Sequence, residues 1–173
     1  MPHTYLFLDT EWADWEGREL VSLALVNSRT GASFYAERNP LPGNPTDFVR
    51  EVVYPLLDGG EVALNDLQFT HALRTFLADV AEPVVLYDYP TDGQLLLAAI
   101  SGFDLLPSEL SECTAPPANL RSTLLQDERV SLAIEEYFTE RAAERARRHH
   151  ALVDARALYA AWLVAGHSPD TPA

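Results

Sequence analysis

The sequence predicts an α/β domain built on a mixed sheet, an antiparallel meander joined to parallel strands, with helices flanking it. Three stretches carry that expectation. Tyr5-Leu6-Phe7-Leu8 is a continuous apolar run of the kind found in strands buried on both faces. Strand-like runs at 19–26 and 31–37 follow, and Asn27-Ser28-Arg29-Thr30-Gly31 between them is hairpin material. Later, Val84-Val85-Leu86-Tyr87 stops at the polar turn Asp88-Tyr89-Pro90-Thr91-Asp92, and a helix continues through 95–100. Strand, polar turn and helix in that order is where α/β proteins place ligand sites.

The remaining elements fit around these. Residues 39–45 hold three prolines and read as a loop. Thr46 can cap a helix with Phe48, Val49, Val52, Val53 and Leu56 at helical spacing, which Pro55 should end or kink. Asn65-Asp66-Leu67-Gln68 has capping-box spacing ahead of the stripe Phe69, Leu73, Phe76, Leu77 and Val80. Residues 101–119 carry Pro107 and Pro116-Pro117, with a short strand expected near 110–114. Val130, Ala133, Ile134, Tyr137 and Phe138 mark another amphipathic helix, and a last helix is expected over about 150–165, stopped by Gly166. With no internal repeat or dividing linker, residues 1–166 are expected to form a single domain, followed by a frayed tail over 167–173.

Composition narrows the function. At 173 residues, 47% hydrophobic and 10% aromatic, the chain can build a full core. One cysteine, Cys113, excludes an intrachain disulfide framework, and no basic leader or membrane-length apolar run is present, so a soluble cytoplasmic protein with no membrane partner is expected. The net charge of −14 makes the chain a poor binder of long duplex nucleic acid, because phosphate affinity rests on Lys and Arg. A short nucleic acid held at one end by metal ions remains compatible with it.

The chemistry starts at Asp9 and Glu11, where the first strand ends. Two positions apart on a strand, they point to the same side. Like charges about 4 Å apart repel by roughly 4 kcal/mol at an effective dielectric near 20. Either both lie in solvent, or a shared proton or a divalent cation relieves them. Two more carboxylates stand at comparable places. Asp92 sits where a strand passes into a helix, and Asp154 lies early in the last helix, five residues after His149. Each alone has a plainer reading, Asp92 as a helix cap, Asp154 as a solvated face and His149 as a surface histidine.

Taken together, Phe7-Leu8-Asp9-Thr10-Glu11 and His149-His150-Ala151-Leu152-Val153-Asp154-Ala155-Arg156-Ala157-Leu158 resemble the motifs of the DEDDh branch of DnaQ-like 3′–5′ exonucleases. The similarity spans essentially the whole chain and is nearest to small stand-alone exoribonucleases of the RNase AS, oligoribonuclease and RNase T kind. It implies a ribonuclease H-like fold and a homodimer. It also implies a metal site of Asp9, Glu11, Asp92 and Asp154, with His149 as general base and Thr10 and Trp12 against the substrate. The middle motif departs from the family pattern: Thr91 precedes Asp92 in place of an aromatic, and Asp88 stands where the family has Asn. Asp88 is thus a rival, and Asp92 is preferred because Leu95 and Leu96 follow it as the helix requires.

Phosphodiester hydrolysis by two divalent ions suits these residue types. Carboxylates without Cys or His ligands favour Mg²⁺ or Mn²⁺ over Zn²⁺. Asp9 is expected to bridge both ions, Glu11 and Asp154 to complete the one that binds water, and Asp92 to act on the other. An indole such as Trp12 can stack on a terminal base. Trp15 is equally readable as core or as a dimer contact. Arg141, Arg145, Arg147 and Arg148 are simplest as a solvated face, with Arg147 and Arg148 the candidates for steering phosphates. His150, four residues before Asp154, would share its helix face and pair with it, leaving His149 free to reach a water. The expected activity is 3′–5′ cleavage of single-stranded or short RNA. A DNA exonuclease and a catalytically silent binding module of the same fold are the alternatives.

Overall fold

A computed structural model describes residues 3–169. Six strands form one mixed sheet in the order β4-β3-β2-β1-β5-β6: β1 Thr4–Trp12, β2 Leu20–Asn27, β3 Ser33–Arg38, β4 Ala63–Leu64, β5 Pro83–Tyr87 and β6 Arg121–Leu124. The β1-β2 and β2-β3 pairs are antiparallel, and the β3-β4, β1-β5 and β5-β6 pairs are parallel. The helices are α1 Asp66–Ala78, α2 Pro90–Ser101, α3 Glu128–Glu140, α4 Ala142–Arg145 and α5 Ala151–Val164. This is the expected α/β sheet of meander plus parallel strands flanked by helices, and it is consistent with a ribonuclease H-like arrangement. Among the described residues, no helix is long and apolar enough to cross a membrane.

Alternation along β1 sets the layers. Leu6 and Leu8 face one side, where Phe69, Leu73 and Leu77 of α1 and Leu95, Leu96 and Ala99 of α2 complete a core. Tyr5 and Phe7 face the other, against Leu158 and Trp162 of α5 and Val130 and Ala133 of α3. Phe7 lies 4.8 Å from the Tyr159 ring and 5.3 Å from Trp162, so α5 is seated directly over β1.

Local chemistry explains the ends. Asn65 Oδ1 accepts from the Gln68 N–H at 2.9 Å while Gln68 Oε1 accepts from the Asn65 N–H at 3.2 Å, a reciprocal cap that starts α1. In the hairpin, Asn27 Oδ1 accepts from the Arg29 and Thr30 N–H groups at 2.9 and 3.2 Å. The helix after Thr46 is irregular. It widens to a π-turn over Val49–Val53 and tightens to a 3₁₀ turn over Tyr54–Leu56 around Pro55, which has no N–H to offer.

Two expectations need correction. The strand expected near 110–114 is a 3₁₀ turn over Leu110–Glu112, and the strand of that region is β6, ten residues later and on the sheet edge. Its residues Arg121-Ser122-Thr123-Leu124 are mostly exposed, so no apolar alternation marks them. α2 begins at Pro90 rather than Leu95, because proline fits the first helical position, where its missing N–H is not needed. In the tail, His167 stacks on Trp162 at 5.2 Å, and one of its ring nitrogens, Nε2, is 3.0 Å from Asp127 Oδ2. Residues 170–173 lie outside the described residues.

The α1 contact can be checked directly. Leu73 is fully buried against the sheet, so Leu73→Ala is expected to lower the unfolding free energy by about 2–5 kcal/mol in urea titrations.

Candidate metal centre

Asp9 and Glu11 continue the Tyr5–Phe7 face of β1 beyond the point where α5 covers it, and so they open under the first turn of that helix. Asp154 sits in that turn. Asp92 arrives from the other layer, in the first turn of α2. Together with Asp88, Arg148 and His149 they line one pocket of about 310 Å³, floored by Ile134, Phe138 and Leu158. Asp9, Glu11, Asp92, Asp154 and His149 are thus brought together from three elements and the turn before α5.

Two hydrogen-bonded clamps aim the incoming carboxylates. The hydroxyl and N–H of Thr10 both donate to Asp92 Oδ1, at 2.6 and 3.1 Å. Gly93 makes that approach possible, since a Cβ there would lie 2.6 Å from the Tyr87 ring. On the other side, the His149 N–H donates to Asp154 Oδ2 at 3.0 Å. His149 has φ +75°, the left-handed region, which turns its backbone toward Asp154. Thr10 therefore serves Asp92, an assignment the sequence did not suggest.

The solvated reading of Asp9 and Glu11 does not survive. Although Asp9 opens partly to the pocket, its Oδ2 is buried without a hydrogen-bond partner, and so is Asp154 Oδ1. Burial, then repulsion from Asp154, Asp92, Glu11 and Asp88, holds the Asp9 carboxyl well above the usual range. Burial and the charges of Asp154 and Asp92 push Glu11 up to about 8. Burial drives Asp92 and Asp154 each to about 7, against the opposing pull of the Thr10 hydroxyl and the His149 N–H respectively. Burial also raises Asp88. Asp92 is 1% exposed and clamped, while Asp88 lines the same pocket, so both rivals are present.

The donor set fits divalent cations. Buried oxygens without a proton donor among the described residues, in a cluster that resists ionising, are what a hard cation satisfies. Ligand atoms of Glu11, His149 and Asp154 lie within 4.8 Å of one another, so His149 stands beside two of the carboxylates. Burial and the neighbouring Arg148 lower its pKa, which keeps the ring neutral and able to accept a proton. Its ring meets Phe48 edge to face, with 5.0 Å between centroids.

Other expected residues fall differently. Trp12 stacks on Tyr89 at 5.5 Å and 20° beside the pocket. Trp15 is 89% exposed, which excludes core burial. Arg148 lines the pocket, held by Glu135 at 2.6 and 3.0 Å and lying 4.9 Å over Phe138. Arg147 does not line it and instead pairs with Asp58 at 2.7 Å. The expected pairing of His150 with Asp154 is also absent. His150 precedes α5 with extended backbone and turns away, 1% exposed, to stack on Tyr35 at 4.5 Å. Helix-face spacing does not apply to a residue outside the helix. Tyr89 carried no spacing signal, and the helical spacing of Phe48 pointed to helix packing and not to this site.

No family model matches the chain, and no curated protein is similar enough to it to count as a relative.

The crowding has a measurable sign. These carboxyls hold protons more tightly folded than unfolded, so the stability they contribute is complete below about pH 4 and lost as pH rises through the folded values, which are about 7 to 8 for Glu11, Asp92 and Asp154. In EDTA, Tm is expected to fall between about pH 6.5 and 8.5. His149 and His150, whose pKa values are lowered, lose their contribution only as pH falls below that window. Asp9→Asn is expected to raise Tm in EDTA at the alkaline end, and a clear drop there would make Asp9 a structural residue.

Proposed function

We propose that the protein is a metal-dependent 3′–5′ exoribonuclease acting on single-stranded RNA 3′ ends or short oligonucleotides. The observation that carries this reading is the convergence of four carboxylates from three elements, two of them with buried oxygens that have no hydrogen-bond partner among the described residues. Asp9, Glu11, Asp92 and Asp154 would hold two divalent ions, Mg²⁺ or Mn²⁺. Bound there, such ions supply an activated water and offset the charge that grows on the phosphate and leaving oxygens.

The chain's own residues do the rest. Thr10 fixes Asp92, and the His149 N–H fixes Asp154, so neither carboxylate has to reorganise. The neutral His149 ring, beside Glu11 and Asp154, accepts the proton of the attacking water at a ring nitrogen. Trp12, braced by Tyr89, offers an aromatic face to a terminal base. Arg148 is the one cation lining the pocket among the described residues. With a net charge of −14, that supports a short substrate gripped at its end over a long one tracked along its backbone. The reading extends to a cytoplasmic setting, for which the single free Cys113 is suited.

The test is incubation of the purified protein with RNA and DNA oligomers of the same sequence, in Mn²⁺ or EDTA. RNA is expected to shorten from its 3′ end in Mn²⁺ only, and Asp9→Asn to abolish the activity. His149→Ala is expected to cut kcat by about 10²–10⁴ while Mn²⁺ binding survives. Cleavage of DNA alone would favour a DNA exonuclease, and binding of oligomer and metal without cleavage would favour a silent module of this fold.

A further inference from the structure

Behind the turn that carries His149 lies a second polar network, which the proposed chemistry does not use. Glu37 on β3 is 2% exposed. Its carboxylate accepts from the Tyr35 hydroxyl at 2.6 Å and from the backbone N–H groups of Asp58 and Gly59 at 2.6 and 3.0 Å. Gly59 has φ +65° and ψ −160°, backbone that glycine alone adopts readily, and it turns the chain immediately after these two donors.

The Asp58 backbone is thereby pinned with its side chain beside the 147–150 turn. Oδ1 accepts from Arg147 at 2.7 Å, and Oδ2 lies 3.4 Å from His150 Nε2. Tyr35 closes the network from below by stacking on His150 at 4.5 Å. Arg147 and His150 flank the segment in which His149 holds φ +75°. Non-glycine residues stay in that region only where their surroundings over-determine them. Arg148 is separately tied to Glu135 across on α3, and within the turn the His150 N–H donates to the Arg147 carbonyl at 3.1 Å.

We propose that Asp58 is a positioning residue for His149: through Arg147 and His150 it holds the turn in the shape that sets the imidazole beside Glu11 and Asp154. Asp58 does not line the pocket, and its side chain is 48% exposed, so removing it empties no core. The functional consequence rests on the proposed role of His149 as base, whereas the geometric one does not.

Two measurements on the full chain separate these levels. Amide hydrogen exchange in EDTA reads the hydrogen bond from the His149 N–H to Asp154. In Asp58→Ala, that amide is expected to exchange about tenfold faster or more, while β1 amides and Tm hold. Asp58→Asn, which keeps an acceptor oxygen for Arg147, is expected to retain slow exchange. Unchanged His149 exchange in Asp58→Ala overturns the proposal, whatever the catalytic result. With RNA turnover as readout, Asp58→Ala is expected to lower kcat by about 10- to 100-fold, with KM and Mn²⁺ affinity preserved and no further loss in a His149→Ala background. An equal loss in that background would mean a general structural role and overturns it as well. If the unaltered protein cleaves no oligonucleotide, the exonuclease reading fails while the exchange arm still decides the role of Asp58.

Discussion

The structure turns on burying like charges where β1 leaves the core. For half its length β1 is apolar on both faces, and α5 is seated on its Tyr5–Phe7 side through Tyr159 and Trp162. The same face continues into Asp9 and Glu11, so the contacts that seat α5 also bring Asp154 over two carboxylates. The parallel β1-β5 pair places the start of α2, and Asp92 with it, at the same end of the sheet. Packing that stabilises the domain thus forces together groups that repel. Such an arrangement is tolerable with protons or cations at the site and costly with neither.

This constraint organises the rest of the site. The acidic centre is surrounded by apolar floor residues, and Arg148, the cation at its edge, is already engaged by Glu135. Side chains thus supply little of the neutralisation, and the donor set is one that suits protons or a hard cation. The overall negative charge points the same way. On the proposed function, such a chain would meet phosphates through what the carboxylates bind, and a terminal base through aromatic surface such as the Trp12–Tyr89 pair.

Legibility in the sequence followed the strength of local patterns. The meander carries apolar runs, α1, α3 and α5 carry helical stripes, and they stand where those signals point. β6 was hidden because an exposed edge strand has no apolar face to announce it. The start of α2 was misplaced because Pro90 suggested a turn when it was opening a helix. At the site, strand alternation sufficed to pair Asp9 with Glu11. What stayed hidden were the individual hydrogen bonds across distant chain: the grip of Thr10 on Asp92, the turning of Arg147 to Asp58, and the burial of Glu37 in a loop some twenty residues on. His150 shows the limit of spacing arguments. It is four residues from Asp154, yet the extended backbone before α5 sends it to Tyr35.

Proton release on metal binding reports directly on the crowded carboxyls. If burial and mutual repulsion keep these carboxyls partly protonated near neutrality, a divalent ion must displace protons as it binds. Calorimetric titration with Mn²⁺ at about pH 7, repeated in buffers of different ionisation enthalpy, reads that number. Binding is expected at two ions per chain with net proton release, diminished at higher pH and reduced in Asp9→Asn. Absence of binding, or binding with no proton released at neutral pH, would contradict a crowded, partly protonated metal site.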